Sequence, residues 1–501
     1  MTRWLIHCVA AAMLVAAAAV ADQGSQPART SREPAVEYWG GALIMNGIKV
    51  DFLARFERDD STKPPSYSGT IDIPIQGLAG GKLSKISVSD SEIRFSFTSP
   101  GSPGEAVFVA KPMPDDPAVY AGEVTQFGES FPLRIRRATE EEAAGFGPPR
   151  PQTPRPPFPY EERQVEYVNP ADGARLAGTL TVPPGDGPFP VVMLITGSGP
   201  QDRDETIMGH KPFAVLAHHL TSAGVAVLRS DDRGTGKSTG SMEVSSDVLA
   251  ADVLAGIEML KTQDKIDEER IGLIGHSEGG IIAPMVAAES PDVDFIVLLA
   301  APAFPGRDIM IRQLADISRA SGLKEEFIAK QTEAQAALFD LMEANAPEDE
   351  MRAAVRKLVI LQSGFNPPAE VNLDREPPPL PPGIQHAIDT TVEQMMSPWF
   401  RNFAVQDPRA TLARVRQPVL AINGELDLQV AAKANLEAIE KTLKDAGNHD
   451  VITLSMPGLN HLLQPARTGL MDEYYRIEIT LDPRVIAEIT RYVRQRAGLE
   501  P

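Results

Sequence analysis

Cysteine is almost missing from this chain of 501 residues: the single example, Cys8, lies in the first apolar stretch. Once that stretch is removed no thiol remains, which excludes disulfides, thiol catalysis and cysteine-based zinc sites together. An excess of positive charge is missing too. Lys and Arg total 48 against 68 Asp and Glu, a formal net charge of -20, so neither nucleic acid nor an anionic membrane surface is an expected partner. Aromatic residues are few, at 6%. Beyond the N-terminal stretch there is also no apolar run of the ~20 residues that a bilayer span requires.

What is present begins with a segment of secretory type. Arg3 supplies a positive start, Val9 to Val20 an alanine-rich apolar core, and Ala19-Val20-Ala21 an A-x-A cleavage site. The core is short for a membrane anchor, and Leu5-Ile6-His7-Cys8 does not make a lipoprotein box. A signal peptide over 1–21, cleaved after Ala21, and an exported protein, periplasmic or secreted, are therefore expected. The remaining length calls for two or three domains, and an apolar fraction of 43% supplies their cores.

Residues 36–137 read as all-β. Short runs such as Lys49–Phe56, Glu92–Phe97 and Ala106–Ala110 are separated by Gly, Pro, Ser and Asp, and Ile93, Phe95 and Phe97 alternate with polar residues. An antiparallel barrel or sandwich is expected there, with no catalytic constellation in it. Residues 138–163 are rich in proline and predict an extended, stiff linker. From residue 164 strands alternate with helices, which implies an α/β domain with a mostly parallel sheet and helices on both faces. The rhythm runs over 164–303 and returns over 411–497. Between these stretches, residues 304–410 are mostly helical and form a candidate cap or lid.

The chemistry concentrates in Gly275-His276-Ser277-Glu278-Gly279. This is G-x-S-x-G, preceded by the strand candidate Arg270–Ile274 and followed by the helix candidate Gly280–Ala288. A strand, a sharp turn and a helix push a serine hydroxyl out at the top of a sheet, with glycines where side chains would clash. Serine needs a base, and the base needs an orienting carboxylate. Of the histidines after Ser277, His386 falls in the cap and His449 precedes the strand Val451–Leu454, at the wrong end of the sheet. His461 follows that strand, at the same end as Ser277, and is the expected base. The acid should follow the strand Pro418–Ile422, where Asp427 is the choice and Glu425 the rival; a cap for the next helix is the other use of Asp427. Oxyanion donors would be the N–H of Glu278 and that of Ser198, with Gly197 as the alternative, in the loop after Pro190–Ile195.

Other signals are weaker. Gly234-Thr235-Gly236-Lys237-Ser238 resembles the end of a phosphate-binding loop, but Asp231 stands where the first glycine is required. His218-His219 lacks the spacing of a metal site and reads as helix surface. Trp399 and Phe400 are either the wall of an acyl pocket or anchors of the cap's own core.

Four segments occur in order: Gly197–Asp204, Asp231–Ser238, Gly275–Gly280 and Gly424–Val430, followed by Asn460-His461. Together they resemble the bacterial α/β-hydrolase esterases of the EstD type, over roughly residues 164–497. The resemblance implies an α/β-hydrolase fold and a triad of Ser277, Asp427 and His461, with oxyanion donors at Glu278 and in the Ser198 loop. It also implies no cofactor, no metal, and hydrolysis of small carboxylic esters, mainly of short acyl chains. Residues 36–137 resemble the β domain that precedes the hydrolase in some relatives, which implies no role for it. Two rival readings stand. One is a serine peptidase, for which the cap acids Glu343, Glu348, Asp349 and Glu350 would clamp a substrate amine. The other is a non-catalytic envelope-binding protein.

Overall fold

The computed structural model describes residues 35–45, 48–60, 65–74, 78–98, 104–126, 129–363, 380 and 382–499. The expected signal segment, Cys8 and most of the proline run at 377–382 lie outside them.

Period-two alternation builds the first unit. Strands β1 (Ala35–Met45), β2 (Ile48–Asp59), β3 (Ser66–Ile73), β4 (Leu78–Val88), β5 (Ile93–Phe97), β6 (Ala106–Pro112), β7 (Val119–Gln126) and β8 (Glu129–Ala138) each pair with the next, and β1 pairs with β8 to close a barrel. The barrel arises because alternate residues such as Phe52, Ala54 and Phe56 on β2 and Ile93, Phe95 and Phe97 on β5 point inward and are buried. Phe95 stacks on Phe108 at 4.5 Å, and Phe56 meets Phe95 edge-on at 5.4 Å. These rings fill the interior. Strand β7 is absent from the sequence-based reading, because among its residues only Val124 is buried and the alternation is faint.

The expected stiff linker over 138–163 is a different object. It opens with a short helix, α1 (Glu140–Ala144), whose N-terminus Thr139 and Glu142 close reciprocally as a capping box. Arg150 then donates to the carbonyls of Met208, Tyr475 and Ile477 at 2.8–2.9 Å. The Gln152 side chain donates to the Leu481 carbonyl at 2.8 Å and accepts from the Thr480 and Leu481 amides. Proline content favours an extended chain, but these bonds pin it to the domain that follows.

That domain is an eight-stranded sheet of β9 (Glu161–Val168), β10 (Arg175–Val182), β11 (Phe189–Ile195), β12 (Ala226–Ser230), β13 (Ile266–His276), β14 (Val293–Leu299), β15 (Val419–Gly424) and β16 (Val451–Met456), in the order 16-15-14-13-11-12-10-9. It is parallel from β12 through β11 to β16, whereas β10 is antiparallel to both β12 and β9. The antiparallel pair lies ahead of the first helix, where a tight connection can replace a crossover.

Helices α2 (Pro212–Ser222), α3 (Ser246–Leu260) and α4 (Gly279–Glu289) fill the first crossovers, and α5 (Gly306–Ala320), α6 (Glu325–Glu343), α7 (Glu348–Ser363), α8 (Pro382–Met396), α9 (Pro398–Val405) and α10 (Pro408–Leu412) form the insertion before β15. After it come α11 (Ala432–Asp445), the short α12 (Met471–Tyr474) and α13 (Pro483–Arg496). Val253, Ile282, Val286 and Ile439 cover one face of the sheet with α3, α4 and α11. Phe213, Leu216, Val485 and Ile489 cover the other with α2 and α13. The insertion has a core of its own, from Leu338 and Phe339 through Val355 and Ile388 to Phe400. No helix among the described residues is long and apolar enough to cross a membrane.

Candidate active site

Parallel strands bring their C-terminal ends to one edge, so the loops after β11, β13, β15 and β16 converge there. Ser277 stands immediately after β13 with φ +52°, a left-handed conformation that side chains other than glycine seldom take. The turn is tight enough that a methyl on Gly275 would overlap the Gly279 carbonyl, and one on Gly279 the Ile195 carbonyl. The Ser277 amide donates to the Leu299 carbonyl at 2.8 Å, which fixes the strained turn to β14.

His461 Nε2 lies 3.2 Å from Ser277 Oγ, and its Nδ1 lies 2.7 Å from Asp427 Oδ2. The other oxygen of Asp427 accepts from the Gln429 and Val430 amides, each at 2.8 Å. Those bonds hold the carboxylate still, and its side chain is fully shielded from solvent. Asp427 does not cap α11, whose N-cap is Ala431 without a side-chain bond. Glu425 and His449 are both exposed, whereas Asp427 and His461 are buried.

The oxyanion loop is sorted by its hydrogen bonds. The Gly197 amide is already engaged, donating to Glu205 Oε1 at 2.8 Å, so the alternative donor is ruled out in this geometry. Among the described hydrogen bonds, the Glu278 and Ser198 amides have no intramolecular acceptor. The Glu278 side chain is buried and accepts from the Trp399 indole at 2.8 Å. Burial raises its carboxyl above the ordinary range, against the pull of hydrogen bonds from Trp399, Ser198 and Ser246. Asp232 is pushed up more strongly by burial, in spite of bonds from Thr196 and the Gln201 amide, with Glu205 and Glu278 adding to the rise.

Trp399 and Phe400 part company. Trp399 turns to Glu278 and stacks on Phe403 at 5.5 Å. Phe400 is buried inside the insertion against Phe339 and is not a pocket wall. Neighbours on a helix point about 100° apart, so only one of the two can face the site.

Asp231-Asp232-Arg233-Gly234 forms a closed loop. Asp231 accepts from the Arg203 guanidinium and from the amides of Arg203 and Lys237. The Lys237 amide of the phosphate-loop-like stretch is thus taken up by this carboxylate. Buried Arg233 is held between Asp252 and Asp172. His218 approaches Tyr160 on the helix surface. Among the described residues no cluster of His, Asp and Glu is arranged to hold a metal ion.

Two residues escaped the sequence reading. Glu205 and His276 are both buried and lie 2.8 Å apart, Oε1 to Nδ1. Burial alone would depress the His276 ring; the Glu205 carboxylate and the His461 carbonyl outweigh it and hold the ring above its ordinary value.

A capped parallel sheet with a serine at the strand-to-helix turn, a histidine and a carboxylate on later loops defines an α/β-hydrolase. The family model described as X-Pro dipeptidyl-peptidase (S15 family) matches residues 172–454, and the chain belongs to that family of hydrolases. It is also similar to Esterase EstD of Thermotoga maritima, with 29% identity over 343 residues, 67% of this chain and 68% of that one. The resemblance carried by the loop motifs is thereby borne out. Among solved structures, an esterase of Pyrococcus furiosus is 16% identical, covering 67% of this chain and 91% of that chain with a TM-score of 0.40. Est1E from Butyrivibrio proteoclasticus is also 16% identical, covering 67% and 99% with a TM-score of 0.36.

Proposed function

We propose that this chain is an exported serine esterase that cleaves small carboxylic esters of short acyl chain through Ser277, His461 and Asp427. The observation that carries the reading is the unbroken line from Ser277 Oγ to His461 Nε2 at 3.2 Å and from His461 Nδ1 to Asp427 Oδ2 at 2.7 Å. In the first half-reaction His461 takes the Ser277 proton as Oγ bonds to the ester carbonyl carbon. The Glu278 and Ser198 amides receive the oxyanion. His461 then gives its proton to the departing alcohol, leaving an acyl-serine. A water, deprotonated by the same imidazole, releases the acid and restores Ser277, while Asp427 steadies the imidazolium in both steps. Esterase EstD, the similar protein, supports the substrate class. The A-x-A segment before residue 22 supports export.

The family description favours a second reading, cleavage of peptides after an N-terminal dipeptide. A peptidase of that kind needs a free carboxylate for the substrate amine. Glu343 is instead paired with Arg307 at 2.5 Å and Glu348 with Arg352 at 3.4 Å, while Asp349 and Glu350 are exposed. The carboxylates around Ser277 are taken up by Trp399, Thr196, His276 and His461. These pairings weigh toward the ester. Hydrolysis of p-nitrophenyl esters of rising acyl length, with Ser277→Ala alongside, decides between the two. Activity confined to the parent and falling with acyl length supports the esterase; no ester activity together with release of dipeptides overturns it.

A further inference from the structure

Beneath Ser277 lies a buried pair that the triad does not use. Glu205 Oε1 is a single atom with two donors: the Gly197 amide at 2.8 Å and His276 Nδ1 at 2.8 Å. On the far side of the ring, His276 Nε2 lies 3.1 Å from the carbonyl oxygen of His461. A carbonyl can only accept, so Nε2 carries a proton. The carboxylate oxygen already accepts from Gly197 and also faces Nδ1, so Nδ1 carries one as well. With Glu205 ionised, only the imidazolium satisfies both contacts, and Glu205 is its counter-ion.

The pair joins three elements of the site. Gly197 belongs to the loop after β11, His276 is the residue before Ser277 at the end of β13, and His461 is in the loop after β16. The elements are close-packed at this point: a methyl on Gly197 would sit 3.3 Å from Ser277 Cβ and 3.4 Å from His276 Nδ1. Glu205 itself is held at φ +52°, a left-handed conformation that persists only where the surroundings enforce it. Glu205 and His276 are 1% and 5% exposed. Stripping one partner from a buried ion pair leaves an uncompensated charge, so the arrangement is fixed as a unit.

We propose that Glu205 and His276 are positioning residues for the hydrolysis, a buried ion pair that sets the distance between the oxyanion loop, the nucleophile turn and the base loop. The pair touches no reacting atom. It acts on kcat through the placement of Gly197-Ser198 and of the His461 main chain, and a misplacement of about 1 Å there costs on the order of 100-fold.

The role rests on the esterase reading above, and the two fail separately. Absence of ester hydrolysis in the parent removes the esterase reading, whereas the charge state of His276 is read without any substrate. In the full chain labelled with ¹⁵N-histidine, His276 should give two protonated ring nitrogens at neutral pH, assigned by their loss in His276→Gln. A neutral His276 overturns the proposal. In Glu205→Gln a neutral ring keeps either its Nδ1–H bond to the amide oxygen or its Nε2–H bond to the His461 carbonyl, but not both. With p-nitrophenyl acetate, kcat should fall on the order of 10- to 100-fold with KM within about threefold. A folded Glu205→Gln chain that melts lower yet keeps the parent kcat makes the pair merely structural and overturns the proposal. Should that variant not fold, His276→Gln carries the same test, because its amide reaches either Glu205 or the His461 carbonyl but not both.

Discussion

The barrel and the hydrolase sheet spend their interiors differently. In the barrel the only buried polar side chain among the described residues is Ser96; the rest of its core is rings and aliphatic groups. In the hydrolase Glu205, His276, Glu278, Asp231, Asp232, Arg233, Asp427 and His461 are all buried, and most of them sit at the ends of strands rather than in the middle. A buried polar group is costly unless it is fully bonded. A domain that carries so many at one edge has its stability committed to holding them in place. The interior of the barrel, by contrast, is filled by apolar side chains. Stability and activity should therefore separate on mutation, and the largest effect should come from a change that leaves the core nearly intact.

Asp427→Asn is that change. The Asn oxygen still accepts from the Gln429 and Val430 amides, but its NH2 group faces His461 Nδ1 and forces the tautomer that cannot accept the serine proton. A loss in kcat on the order of 10⁴-fold is expected, with a melting temperature close to the parent's. The reverse pattern is expected from Phe95→Ala in the barrel, where stacking on Phe108 and the edge contact with Phe56 are both removed. The barrel should lose about 3–5 kcal/mol, seen as faster amide exchange on β5 and β6, while kcat stays within about twofold. A parallel fall in kcat would show that the barrel supports the catalytic edge and would break the division.

The pinned linker tests the border between the two regions. His210 is buried, its Nδ1 3.0 Å from the Thr480 hydroxyl and its Nε2 3.1 Å from the Tyr474 carbonyl, and burial together with the nearby Arg150 charge lowers it to about 4. The folded value lies below the unfolded one, so the neutral ring contributes stability above pH 6.5. That contribution is lost as the pH falls through about 4, because the unfolded chain takes up the proton first. The window is worth about 3 kcal/mol. Urea titrations between pH 7 and 4 should show a slope that His210→Gln removes. An unchanged slope in the variant would assign the acid sensitivity to other groups.

Much of this was legible in the sequence, and the failures have a common cause. Ser277 and His461 could be read because each follows a strand, and strands announce themselves through local patterning. Asp427 is the choice from the sequence but keeps Glu425 as a rival, since both lie in the loop after β15 and only the course of that loop buries Asp427 and leaves Glu425 exposed. Glu205 was invisible: it sits in a polar loop without periodicity, and its partners are 8 and 71 residues away. Arg150 lies in a proline-rich stretch whose local pattern predicts a spacer, because the carbonyls it meets lie 58 to 327 residues downstream. Contacts that span the chain leave no local signature, whereas alternation and turn residues do. The barrel was foreseeable as all-β on that basis, but β7 and the antiparallel start of the second sheet were not.

The smallest expected effect separates the two aromatic residues of the cap. Trp399 reaches across from α9 to bond Glu278, the residue whose amide follows the nucleophile, whereas Phe400 packs against Phe339 within the cap. Trp399→Phe keeps a ring that can stack on Phe403 and deletes one hydrogen bond, worth about 0.5–1.5 kcal/mol. The loss also removes a donor that favours the charged form of Glu278, so its carboxyl should rise further. A decrease in kcat/KM of about 2- to 10-fold is expected, and it should differ among acyl lengths because the ring has lost its tether at the site. Phe400→Leu, at a site walled off from the nucleophile, should lower every ester equally, through the stability of the cap alone. If instead Phe400→Leu shifts the acyl preference and Trp399→Phe does not, the cap must sit over Ser277 in a different rotation during turnover. In that case the indole bond to Glu278 belongs to the resting enzyme only.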